Sequence, residues 1–233
     1  MTIELSAANY LRTFMAFVAS LTAASFLTQL AWFAGLYSRH GIFRTLDVDV
    51  ESSIPTWYSS LALAFASALL ALIVRELMAR KETRDVPRWF ALAAGFLFLS
   101  IDEIAGFHEQ AAKLLHMIGR FEGWLRYPWV ILATGAILVL IPYFLDFMKR
   151  MEPRMRRQFI VAGLIYVGGA VGITIIGARI RDEWGKYCLA YCAIVHVEEL
   201  LEMAGIVLFN AALIEHLARL RGNAGLSVRF VKD

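Results

Sequence analysis

Residues 126–148 read RYPWVILATGAILVLIPYFLDFM, and from Trp129 to Leu145 no charged side chain interrupts them. A helix needs about 20 such residues to cross a hydrocarbon core of about 30 Å. Five further apolar runs fit around this one, at about 10–36, 57–79, 89–112, 158–178 and 187–217, with short polar connections between them. The expected fold is all-α: one domain over residues 1–233, an integral membrane bundle of six transmembrane helices. Composition agrees, with 59% of the 233 residues hydrophobic, 18% charged and a mean hydropathy of +0.60. Soluble domains are about half apolar and a quarter charged, so a soluble globular enzyme is excluded. The net charge of +3 marks no nucleic-acid partner, because the basic residues flank the apolar runs. The first run is too long for a cleaved secretory leader and is expected to stay as the first span.

Charge orients the bundle. With the N-terminus in the cytoplasm, 15 of the 23 Lys and Arg residues fall on that side, chiefly at Arg75–Arg88, Lys149–Arg157 and Arg219–Lys232. The positive-inside rule then predicts both termini cytoplasmic. Tryptophans support the span ends: Trp32, Trp57, Trp124, Trp129 and Trp184 near the outer ends and Trp89 at an inner one, where rings at headgroup depth are expected. The small residues of Gly168-Gly169-Ala170-Val171-Gly172 predict a close helix contact in the fifth span. Cys188 and Cys192 provide no disulfide framework and read as packing residues.

Two spans are too polar for lipid alone. The third contains Ser100-Ile101-Asp102-Glu103 and then His108-Glu109-Gln110; the sixth contains His196-Val197-Glu198-Glu199-Leu200-Leu201-Glu202. A carboxylate at the centre of a membrane helix costs about 2.5–3.5 kcal/mol on insertion scales, so several must be paired, protonated, solvated or bound to a cation. At 100° per residue, Cys188, Cys192, His196, Glu199 and Glu202 form one stripe. Asp102, Gly106, Glu109 and Lys113 form another, and His108 points away from Asp102. Counting the helical rise from each span end puts Asp102, Glu103, His196 and Glu199 at one depth, slightly outside the midplane. Ile101–Ile104 also resembles Val197–Leu200, a likeness too short to define a repeat.

Carboxylates with imidazole suit iron, manganese or zinc. The expected metal ligands are Asp102, Glu109, His196 and Glu199, with Glu103 and Glu202 as catalytic acid or base and a divalent iron or zinc ion as cofactor. This predicts a metal-dependent enzyme, oxidoreductase or hydrolase, acting on a lipophilic substrate, with membrane lipids as partners and a homo-oligomer as one arrangement. The same residues suit a proton- or cation-coupled transporter, and a polar girdle in a structural or accessory subunit is the third alternative. Arg179 and Arg181 read as interfacial anchors.

Two stretches, Asp47–Ser60 with its Ile54-Pro55-Thr56-Trp57 and Ser100-Ile101-Asp102-Glu103 followed by His108-Glu109, resemble a group of bacterial multi-pass inner-membrane proteins with IPTW and S-[IL]-D-E-x4-H-E motifs. The resemblance implies a bacterial inner-membrane location and assigns no catalytic residue. Alkaline-ceramidase-like hydrolases also place Ser, Asp and His in membrane helices, but their three matching histidines are not found here.

Overall fold

The computed structural model describes residues 2–36, 41–50, 52–222 and 226–229. These residues form helices α1 (Ala7–Phe33), α2 (Ile54–Ala79), α3 (Val86–Ala105), α4 (Phe107–Ile118), α5 (Trp129–Arg150), α6 (Pro153–Val167), α7 (Thr174–Trp184) and α8 (Leu189–Leu220). A π-helical turn, Gly168–Ile173, joins α6 to α7 without a break in direction large enough to separate them as spans. Outside the helical bundle, a short ribbon pairs β1 (Thr2–Leu5) antiparallel to β2 (Leu226–Arg229), with Thr2 opposite Arg229 and Leu5 opposite Leu226.

Local chemistry sets the helix starts. The Ser53 side chain accepts the Thr56 N–H and Pro55 occupies the first turn of α2; both favour helix initiation, so the span opens at Ile54 and not at residue 57. Pro153 does the same for α6. Four stretches, Ala7–Phe33, Ile54–Ala79, Trp129–Arg150 and Pro153–Trp184, are each long and apolar enough to cross a membrane, and a fifth is added if α3 and α4 count as one span.

That pair corrects the sequence expectation of an unbroken helix over 89–112. The chain turns by 71° between α3 and α4, at Gly106, whose φ of +61° lies in the left-handed region. Glycine occupies that region without a Cβ penalty. Beyond it, the Asp102 carboxylate takes over the His108 N–H at 2.9 Å, satisfying a donor that the start of α4 would otherwise leave open.

The 32-residue α8 runs through the centre, against α1, α2, α6 and the π-turn. Met203, Val207, Leu213 and Leu217 are fully enclosed with Leu70 and Ile73 of α2. Lipid tails are as apolar as leucine, so van der Waals fit between helices drives this packing. Glycines permit it. A Cβ on Gly205 would lie 2.8 Å from the backbone N of Tyr166, and one on Gly169 would lie 2.9 Å from the carbonyl oxygen of Glu198. The expected small-residue contact of the fifth span is therefore real and rests on Gly169; Gly168 and Gly172 face open space.

By contrast, α5 is peripheral, with Ile131, Leu132, Leu138, Val139 and Leu140 all exposed. Trp57, Trp124 and Trp184 are exposed too, consistent with rings at a membrane surface. Trp89 is not: it is buried edge-on to Phe147 and Phe159 and stacked on His216. Its role is in the core, contrary to the headgroup position expected from its place at a span end.

Candidate functional site

The α3–α8 level expected from the helical rise does bring carboxylates together. Glu103, from α3, lies within electrostatic reach of Glu199 and Glu202 on α8, and Glu198 lies beside the same two. Tyr166 of α6 faces the group, within reach of Glu202, Glu103, Glu199 and Asp102. All of these side chains are partly buried. They line the space between α3, which packs along α2, and the tightly joined α6, π-turn and α8.

Two anchored pairs border the group. On the α3 side, His108 Nδ1 is 2.9 Å from Asp102 Oδ2, while its N–H donates to Oδ1 at 2.9 Å. The stripe geometry of a continuous helix sets these residues on different faces; the Gly106 turn folds them into contact and overturns that expectation. The His108 ring also stands edge-on to Trp129, with centroids 5.2 Å apart, so its orientation is fixed from two sides. On the α8 side, the Thr174 hydroxyl donates to Glu198 Oε1 at 2.6 Å. Thr174 begins α7 directly after the π-turn, and Gly177 one turn later leaves room for Glu198 Oε2, 3.9 Å from where a Cβ would stand.

His196 is placed elsewhere. It is buried against α1, its Nε2 accepting from the Ser25 hydroxyl at 2.9 Å and its Nδ1–H donating to the Cys192 carbonyl at 2.7 Å. In this tautomer Ser25 Oγ accepts the Val48 N–H at 3.2 Å, so the three groups form one directed chain. The helix face explains the separation from the expected stripe. Each step of three residues falls 60° short of a full turn, so two steps from His196 to Glu202 rotate the stripe by 120°.

Glu109 is also outside the group, exposed on α4 and paired with Lys113 at 3.5 Å. Asn210, which continues the α8 stripe, is a structural crosslink: its Nδ2 donates to Tyr10 Oη at 3.1 Å and to the Ala62 carbonyl at 3.0 Å. Arg181 donates to Tyr127 Oη at 2.6 Å and sits over the rings of Tyr127 and Tyr191, which gives it a role within the fold in place of the interfacial one. Cys188 and Cys192 are free thiols, Cys188 capping α8 by accepting the Tyr191 N–H at 3.3 Å.

A family model described as Domain of unknown function (DUF8692) matches residues 13–217. The chain belongs to that family. The match runs from α1 into the last turn of α8 and includes every residue of the carboxylate group. No curated protein matches the sequence, and no solved structure matches it.

Among the described residues of this DUF8692 chain, no three or more His, Cys, Asp and Glu side chains are already gathered as a metal-holding set. Of the six expected site residues, the fold brings Asp102, Glu103, Glu199 and Glu202 to one region and sends Glu109 and His196 away from it. It adds His108, Glu198, Tyr166 and Thr174. Glu198 and His108 were visible in sequence as polar residues of the two unusual spans. Tyr166 and Thr174 carried no such signal, because both are ordinary in apolar helices.

Proposed function

We propose that this is a six-span integral membrane protein whose carboxylate group binds a divalent cation, iron or zinc, and uses it in chemistry on a lipophilic substrate. One observation carries the reading: Glu103, Glu198, Glu199 and Glu202 converge at one level, beside the oriented pair Asp102–His108. Carboxylates held this close repel one another, and a bound cation relieves the repulsion. The donor set of oxygens with one imidazole belongs to the class that takes iron, manganese or zinc. Asp102 on His108 Nδ1 is the kind of outer hydrogen bond that orients a ligating imidazole. The sixth span is α8, which at 1.5 Å per residue is about 48 Å long. The ribbon joining residues 2–5 to 226–229 supports an even number of crossings with both ends on one side. The basic connections favour the cytoplasm for that side, in a bacterial inner membrane.

The test is elemental analysis of the detergent-purified protein beside a Glu199→Gln/Glu202→Gln variant. Iron or zinc near one or two per chain, lost in the variant, is the expected result. Absence of metal from both, with the fold intact by circular dichroism, refutes the reading. A His196→Ala variant is expected to retain its metal, because His196 is committed to Ser25 and Cys192.

A second reading is favoured by the interrupted helices. The Gly106 turn and the π-turn both adjoin the carboxylates, and broken helices at ion sites are a feature of secondary transporters. In that reading the group carries protons or a cation across the bilayer. Cation-driven uptake into proteoliposomes, abolished by Glu103→Gln, is its signature.

A further inference from the structure

A second site stands at the end of the bundle where the α2–α3 turn, the α5–α6 turn and the C-terminal end of α8 meet. A cavity of about 590 Å³ opens there, within the 300–1,000 Å³ usual for small-molecule sites. We propose that it binds an anionic amphiphile, a phosphate headgroup carried on an apolar chain. This inference is independent of the carboxylate reading.

The floor is apolar and rigid. Trp89, Phe147 and Met155 line it, each almost wholly enclosed by protein. Trp89 is locked between the stacked His216 ring, 5.3 Å away at 14°, and the edge of Phe147 at 5.0 Å. A flat, prebuilt surface of this kind accepts an acyl segment without ordering new side chains.

The rim is charged, and most of its charges are spent on each other. Asp85 holds Arg150 at 2.5 Å and Arg88 at 3.5 Å, and Glu152 is paired with Arg219. Lys81 and Arg84 are exposed and, among the described residues, their side chains have no ion-pair or hydrogen-bond partner. Among the described residues, Glu82 is the one lining acid that pairs with none of these cations, so the uncommitted balance is positive.

The backbone marks the same spot. Lys81 has φ +62°, the single positive value at a non-glycine position among the described residues. It sits where a helix ends in a Schellman motif, with Lys81 N–H on the Met78 carbonyl at 3.1 Å and Glu82 N–H on the Leu77 carbonyl at 2.9 Å. Glycine is the usual occupant of that position. A lysine there strains the chain without any compensating contact inside the protein, and strain of this sort clusters at ligand sites. A phosphate bound between Lys81 and Arg84 supplies the missing contact.

The experiment titrates the full chain in an uncharged maltoside detergent with dioctanoyl phosphatidylglycerol, dioctanoyl phosphatidylcholine and inorganic phosphate, read by native mass spectrometry. Expected is one phosphatidylglycerol per chain, at least tenfold tighter than phosphatidylcholine and than phosphate alone. Lys81→Gly/Arg84→Ala is expected to weaken it at least tenfold while the melting temperature holds, since glycine relieves the φ at residue 81. Met155→Trp, which fills the floor, is expected to block it. Equal binding of phosphatidylcholine removes the role of the cations, and equal binding of inorganic phosphate removes that of the floor. No binding at all, or unchanged binding by the rim variant, overturns the site.

Discussion

Replacing Gly169 by alanine tests the central contact of the fold and the placement of the carboxylates together. The added methyl would stand 2.9 Å from the Glu198 carbonyl oxygen, 3.0 Å from Leu201 Cβ and 3.1 Å from Glu202 Cγ. Two of these are backbone or Cβ atoms that move only if α8 moves. Overpacking of this kind costs about 1–3 kcal/mol, offset by a gain of up to about 1 kcal/mol from the better helix propensity of alanine. The net loss is then about 1–2 kcal/mol, or a melting temperature lower by about 2–8 °C for a chain of this size. Gly168→Ala is the matched control, because nothing lies within 4 Å of where its methyl would stand. It keeps only the propensity gain, which raises the melting temperature by up to about 4 °C. Differential scanning fluorimetry of the two variants in one detergent decides. If both shift in the same direction by the same amount, the π-turn does not meet α8 as described. Because the clash falls on Glu198 and Glu202, Gly169→Ala is further expected to lower metal content where Gly168→Ala leaves it unchanged.

Gly106→Ala puts a Cβ into a left-handed conformation at a cost of about 1–2 kcal/mol, and a fall of about 2–8 °C in melting temperature checks it. Asn210→Leu deletes the donor to Tyr10 and to the Ala62 carbonyl; leaving those buried groups unmatched costs about 1–3 kcal/mol, read in the same melting assay, and an unchanged value would deny the crosslink. Single cysteines tested one at a time, Glu82→Cys and Glu183→Cys in a Cys188→Ala/Cys192→Ala background, report orientation. An impermeant maleimide is expected to label residue 183 in intact cells and residue 82 only after the membrane is opened, and the reverse pattern inverts the topology.

Helix existence was legible in the sequence because apolar runs of membrane length have few other uses, and each of the six expected runs coincides with a helix or a joined set of helices. The break at Gly106 was not, since one glycine in an apolar run is common and only its φ reveals the turn. From that turn follows the Asp102–His108 pair, which a straight helix forbids. The candidate site was half legible. Residue type singled out Glu103, Glu199 and Glu202 correctly as companions, because three acids in lipid demand one another's company or a cation. His196 misled for a reason particular to α8: a helix enclosed on nearly every side has no single inward face, so an imidazole on it finds its partner on whichever neighbour is nearest. That neighbour was Ser25, a residue without any charge to advertise it. Trp89 misled similarly, its place at a span end outweighed by the aromatic surroundings supplied by α5, α6 and α8.

The central position of α8 has a consequence for biogenesis. The ribosome makes this helix after the other seven, yet α1, α2 and α6 all rest against it. Until it arrives, the earlier segments must wait in the bilayer as separate insertions, holding Gln29, Ser60 and Thr174 without the shelter they later share. Assembly is thus gated by synthesis of the final helix, and a ribosome stalled before Leu189 leaves orphaned helices for a quality-control protease to collect.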